Sequence, residues 1–200
     1  MICVIGQKPF RTGLFRTTRK YHRTLAKATD TKLIIFEDQP IKQYGKFEGL
    51  QRMHEQGAAL ARKALAPWLL FLENDVAPLP NLVEQLLATG KDIVVPRPEF
   101  PQFPAAAVSV FRPQLSMHGV QPCIWSVFSA ILFTQHALKV VGSPLFPLFK
   151  QEQLVFDYWR SKGIRPYMTF EANVDILELP GGFDRASMHP ELDHRLYCGG

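Results

Sequence analysis

The stretch ARKALAPWLLFLENDVAPLPNLVEQLL, residues 61–87, decides the fold. WLLFL (68–72) is apolar at every position, so neither face suits water and the strand belongs inside a sheet covered on both sides. It breaks abruptly into ENDVAPLP, where Pro80 opens a helix to about Ala88. Upstream, Leu50, Met53, Gly57, Leu60, Ala61, Ala64 and Leu65 recur at three- and four-residue steps. That rhythm predicts an amphipathic helix from Gly49 to Ala66, stopped by Pro67. A helix, a buried strand and another helix make the repeating unit of an α/β fold.

The same alternation extends both ways. ICVI (2–5) predicts a first strand and 12–28 a helix; KLIIF (32–36) predicts a second strand, ended by the polar EDQP. DIVV (92–95), VSVF (108–111) and WSVFSAILF (125–133) read as further strands, with a proline-rich loop (96–104) as the expected mobile element. Helices follow at about 135–141 and 151–162, and short strands at 167–170 and 174–177. The expectation is a single α/β domain over 1–200 with a mostly parallel sheet, and 178–200 as a C-terminal loop or tail. Such sheets bind ligands beyond the carboxyl ends of their strands.

Composition narrows the classes. At 46% apolar and 20% charged residues, the 200-residue chain is not a disordered one. The longest candidate for a spanning stretch, VFSAILF (127–133), has only strand length, and the N-terminus has no basic segment before its apolar residues. Neither a membrane span nor a secretory signal is expected. Cys3, Cys123 and Cys198 are odd in number and in no CxxC spacing, so they read as plain thiols of a cytoplasmic protein. The net charge of +5 is uneven: residues 1–30 hold seven basic residues against Asp30 alone. Arg16, Arg19, Lys20 and Arg23 form a stripe that suits a nucleotide diphosphate, a nucleic acid or a membrane surface, or is a solvated helix face.

Two phosphate-binding motifs are missing: GQKPFRTG after the first strand lacks GxGxxG, and no GxxxxGK[ST] occurs. What remains is acidic. Glu37 and Asp38 follow KLIIF, and Glu73 and Asp75 follow WLLFL. Carboxylates gathered at one sheet edge call for a hard divalent cation, although Asp and Asn also cap helices and build turns.

Residues 61–87 resemble the centre of the GT-A glycosyltransferases, in particular the family 2-like group. There an alanine-rich helix leads into a strand, a DxD-type motif, a proline turn and another helix. KLIIFEDQP resembles that group's second strand, and FSAILFTQHALKVVG the strand and helix after its sugar pocket. FKQEQLVFDYWRSKGIRPYM resembles the segment that begins with its ED motif. The resemblance implies a Mn²⁺- or Mg²⁺-dependent transferase using a nucleotide-sugar, UDP-linked, with an inverting outcome. It implies Asp75 as metal ligand, Glu73 near the ribose or metal, and Glu37 or Asp38 on the base or ribose. Glu152 falls on the catalytic base, with Asp157 in reserve because Gln153 replaces the motif's second acid. His189 and His194, in HPELDH, stand where the family often supplies a further metal ligand. Glu73 for the first Asp is a second departure. The acceptor stays open, an anionic macromolecule such as DNA among the candidates, as does a homo-oligomer. A different class, a non-catalytic nucleotide- or nucleic-acid-binding protein derived from a transferase, fits the same residues. His22, His54, His118 and His136 read as surface or core residues, and Trp125, Phe128 and Trp159 as core.

Overall fold

A computed structural model describes residues 1–6, 12–36, 39–99, 108–110, 118–126, 128–147, 152–176, 178–179 and 183–184. The chain begins β1 (Ile2–Ile5), α1 (Thr12–Ala28), β2 (Leu33–Phe36), α2 (Gln39–Tyr44), α3 (Lys46–Lys63) and β3 (Trp68–Glu73). It continues through β4 (Val76–Pro78), α4 (Leu82–Ala88), β5 (Ile93–Glu99), β6 (Val108–Val110), β7 (Val120–Ser126) and β8 (Ala130–Thr134). α5 (Gln135–Val141), α6 (Glu152–Ser161) and β9 (Pro166–Ile176) follow, then β10 (Glu178–Leu179) and β11 (Phe183–Asp184).

The central sheet runs β2-β1-β3-β8-β5-β9-β7-β6, with β4 added against β9. β1, β2, β3, β5 and β9 all point the same way, the expected α/β arrangement with a largely parallel core. β8 runs against them between β3 and β5, and β4 and β7 run against β9.

Strand alternation explains the all-apolar runs. Cys3, Ile5, Leu69, Phe71, Ile131 and Phe133 face one core, under α3, α5 and α6; Ile2, Val4, Leu70, Leu72 and Leu132 face the other, with Leu25 of α1 and Leu82 of α4. Both sides of β3 are therefore dry. α3 sits close because Gly57 carries no side chain: a Cβ there would lie 2.8 Å from Phe71 Cε1 and 3.1 Å from Cys3 Sγ. Gly49 does the same where α2 crosses α3, since its Cβ would meet Ile41 Cα at 2.5 Å.

Several expectations change. WSVFSAILF is two strands, β7 and β8, separated by a turn that includes residues 128–129. The two short strands expected after residue 166 are one eleven-residue strand, β9. Pro96–Glu99, expected in a mobile loop, extends β5. β8 pairs with β5 only at Ile93 and Val94, so Pro96 and Pro98 lie beyond the end of that pairing, where a missing N–H is tolerated. Within the expected tail, β10 and β11 form an antiparallel pair. The aromatic expectation holds for Trp159 and Phe128, both buried. Trp159 Nε1 donates to the Leu145 carbonyl at 2.7 Å.

Candidate active site

The carboxyl ends of β1, β2 and β3 lie level, because Ile5 pairs with both Phe36 and Glu73. The chain then turns through Asn74 and Asp75. The Glu73 amide donates to the Ser129 carbonyl at 2.9 Å, and the Asn74 amide to the Ile5 carbonyl at 3.1 Å. Asn74 is 2% exposed, whereas Glu73 and Asp75 on either side are half-buried. The turn thus anchors its middle residue in the protein and places its two acids at the sheet's edge. β4 folds back onto β9, pairing Val76 with Ile176 and Ala77 with Asp175.

A residue with no assigned role in the sequence reading completes this support. His22 of α1 is 1% exposed, and its Nε2 donates to the Val76 carbonyl at 2.9 Å, directly after Asp75. Burial pushes its pKa down from 6.5 to about 4, the Val76 hydrogen bond opposing this only in part, so the ring is neutral at pH 7. Its buried neighbours Thr18, Tyr21 and Leu25 recur at helical spacing, so position 22 was legible as buried, though not its partner. His54 is likewise internal, its Nδ1 donating to the Leu50 carbonyl at 2.8 Å among Phe71, Phe128 and Phe146. His118 and His136 are exposed.

Glu152 lies in the first turn of α6 and is half-buried. α6 returns through a short turn into β9, so its N-terminus is at the same carboxyl edge as the β3 turn. Upstream, residues 138–146 are strapped along α3. Arg62 donates to the Leu138 carbonyl at 3.0 Å and to the Gly142 carbonyl, and Glu55 Oε1 accepts from the Phe146 amide at 2.7 Å. Asp157 is exposed on α6 and pairs with Arg160, which also donates to the Cys123 and Ile124 carbonyls at 3.0 and 2.9 Å. Five residues further along the helix, it faces away from Glu152.

Glu37, Asp38, His189 and His194 lie outside the described residues. Among the described residues, no group of three or more His, Cys, Asp and Glu side chains is assembled for a metal. The carboxylates at the edge are Glu73 and Asp75, hard oxygen groups of the type that could hold Mg²⁺ or Mn²⁺. Cys3 and Cys123 are buried thiols, each pushed up to about 12 by burial and therefore unreactive at neutral pH.

No protein-family model matches the chain, and no curated protein does so by sequence. Solved structures do. A197 from STIV is 14% identical with a TM-score of 0.57, covering 86% of this chain and 83% of its own. A glycosyltransferase involved in the glycosylation of the major capsid of PBCV-1 is 14% identical with a TM-score of 0.50, covering 98% of each chain. UDP-glucose pyrophosphorylase complexed with UDP-glucose is 11% identical with a TM-score of 0.51, covering 100% of this chain and 99% of its own. The chain shares its fold with these proteins. No helix among the described residues is long and apolar enough to cross a membrane.

Proposed function

We propose that the chain is a metal-dependent glycosyltransferase that moves a sugar from a UDP-linked donor to an acceptor with inversion. The observation that carries this reading is the turn after β3, which presents Glu73 and Asp75 at the ligand edge while Asn74, β1 and His22 hold it from below. The fold shared with a glycosyltransferase and a UDP-glucose pyrophosphorylase supports it.

In this reading Asp75 and Glu73 hold the cation, with His189 or His194 as a further ligand, and Glu37 or Asp38 contacts the base or ribose. The cation, when bound, supplies positive charge to the departing diphosphate. Glu152 accepts the acceptor hydroxyl's proton as that oxygen attacks the anomeric carbon, and Asp157 is the reserve base. The fixed backbone of the β3 turn keeps the carboxylates in place without reorganisation during transfer.

Incubating the protein with a panel of UDP-sugars and no acceptor tests the reading. Slow release of UDP from at least one donor in Mn²⁺, abolished by EDTA, is expected. No release and no UDP binding would reject it. A second reading rests on α1, whose Lys20, Arg23 and Lys27 are exposed along one face in a helix with no acidic residue. A nucleic-acid-binding protein without turnover would bind single-stranded DNA with an affinity that falls steeply in salt.

A further inference from the structure

We infer that the groove between α2 and α3 is a binding site for a neutral saccharide. This rests on the transferase reading only for the sugar's role as acceptor. The groove has a volume of about 710 Å³, enough for two or three sugar rings. It is lined by Tyr44 of α2 and by Glu48, Gln51, Arg52, Glu55 and Gln56 of α3. The α3 positions fall three and four residues apart, so they form one continuous polar helix face. Because Gly57 packs at the level of Phe71, the groove's α3 residues lie further toward the carboxyl edge, beside the strap that leads to Glu152.

The lining chooses its ligand. Two carboxylates against one guanidinium leave a formal negative excess, which disfavours a diphosphate or a DNA strand. Arg52 is committed to Glu48 at 2.7 Å and lies 4.0 Å above the Tyr44 ring, so the groove is also poor for a divalent cation. What it does offer is a set of amide and carboxylate groups, which match hydroxyls that both donate and accept. It adds a Tyr44 ring that is 40% exposed although Arg52 covers one face, and the surface left over can meet the C–H face of a pyranose. The groove wall also carries a polar atom that lacks a donor. Glu55 gives Oε1 to the Phe146 amide, while its Oε2 is buried with no hydrogen-bond partner among the described residues. A buried carboxylate oxygen without a donor is costly, and a ligand hydroxyl that reaches it as the groove's exposed side chains part would supply that donor.

An array of immobilised neutral oligosaccharides, probed with the full chain, tests this. The wild type should bind at least one glycan class. Tyr44→Ala should weaken that binding about tenfold, and Tyr44→Phe, which keeps the ring, should restore most of it. Glu55→Gln keeps an acceptor for Phe146 and should also weaken binding. Circular dichroism and melting of each variant check that it is folded. No binding by the wild type, or equal binding by wild type and Tyr44→Ala, overturns the site. UDP binding with Mn²⁺, measured on the same proteins, reports separately on the transferase reading. Glycan binding without UDP binding keeps the groove and rejects the transferase; the reverse rejects the groove alone.

Discussion

Glu152→Gln should lower the rate of sugar transfer by about 10²–10⁴-fold while leaving UDP affinity unchanged, because a general base acts on the acceptor and not on the donor. The residue is half-buried in the first turn of α6, and the segment before it is held by the Glu55–Phe146 and Trp159–Leu145 hydrogen bonds. Those bonds tie residues 145 and 146 to α3 and to α6 itself. A competing explanation needs no chemistry: an acid in a helix's first turn favours the helix dipole by about 0.3–1 kcal/mol. On that explanation Glu152→Gln would lose a little stability and keep its turnover. Transfer rates and melting temperatures of one variant separate the two. Asp157→Asn is the companion measurement. Asp157 is exposed and paired with Arg160, so its loss should loosen α6 against β7 and leave most of the transfer rate. Collapse of turnover in Asp157→Asn, with Glu152→Gln active, would move the base to Asp157.

Acidification from pH 7 to pH 5 should cost roughly 4 kcal/mol of stability through two histidines. His22 and His54 are buried, and burial lowers each from 6.5 to about 4. Above pH 6.5 both are neutral in the folded and unfolded chains, so neither contributes a pH dependence. Below 6.5 the unfolded chain takes up two protons that the native fold refuses until about pH 4. Stability therefore falls through that window, by about 2 kcal/mol from each ring at pH 5, and levels off below it. Urea midpoints at pH 7, 6 and 5 measure the slope. His54→Leu should remove close to half of it, since the His54 site is apolar and aromatic. A midpoint that does not move over this range would contradict the burial of both rings.

The sequence made some of this architecture plain for physical reasons. WLLFL was readable as a central strand because a segment dry on both faces has no polar side to offer, and Pro67 and the END turn marked its limits. α1 was readable to its bounds because its buried face repeats at helical spacing. What failed was pairing between distant residues. A run interrupted only by Ser126 and Ser129 gives no sign that WSVFSAILF turns at 128–129, a turn made useful by the Ser129 carbonyl that accepts from Glu73. Nothing local shows that PRPE joins a strand, since its prolines are tolerated only because β8 has already ended. The candidate site divides the same way. Glu73, Asp75 and Glu152 were legible as acids at element ends, and their placement at one sheet edge follows from the strand directions. His22 was not legible as support for that edge, because its partner is a backbone carbonyl 54 residues away.

In the proposed function, Asp75 helps hold a cation whose purpose is to bind the diphosphate of a UDP-linked donor. Calorimetric titration of UDP into wild type and Asp75→Asn, each with and without Mn²⁺, tests it most directly. The substitution removes a charge and almost no volume, and the turn's backbone bonds to Ile5 and Ser129 do not involve the side chain. Mn²⁺ should tighten UDP binding at least about tenfold in the wild type, about 1.4 kcal/mol, and have no effect on UDP binding in Asp75→Asn. Equal tightening by Mn²⁺ in both proteins would contradict it.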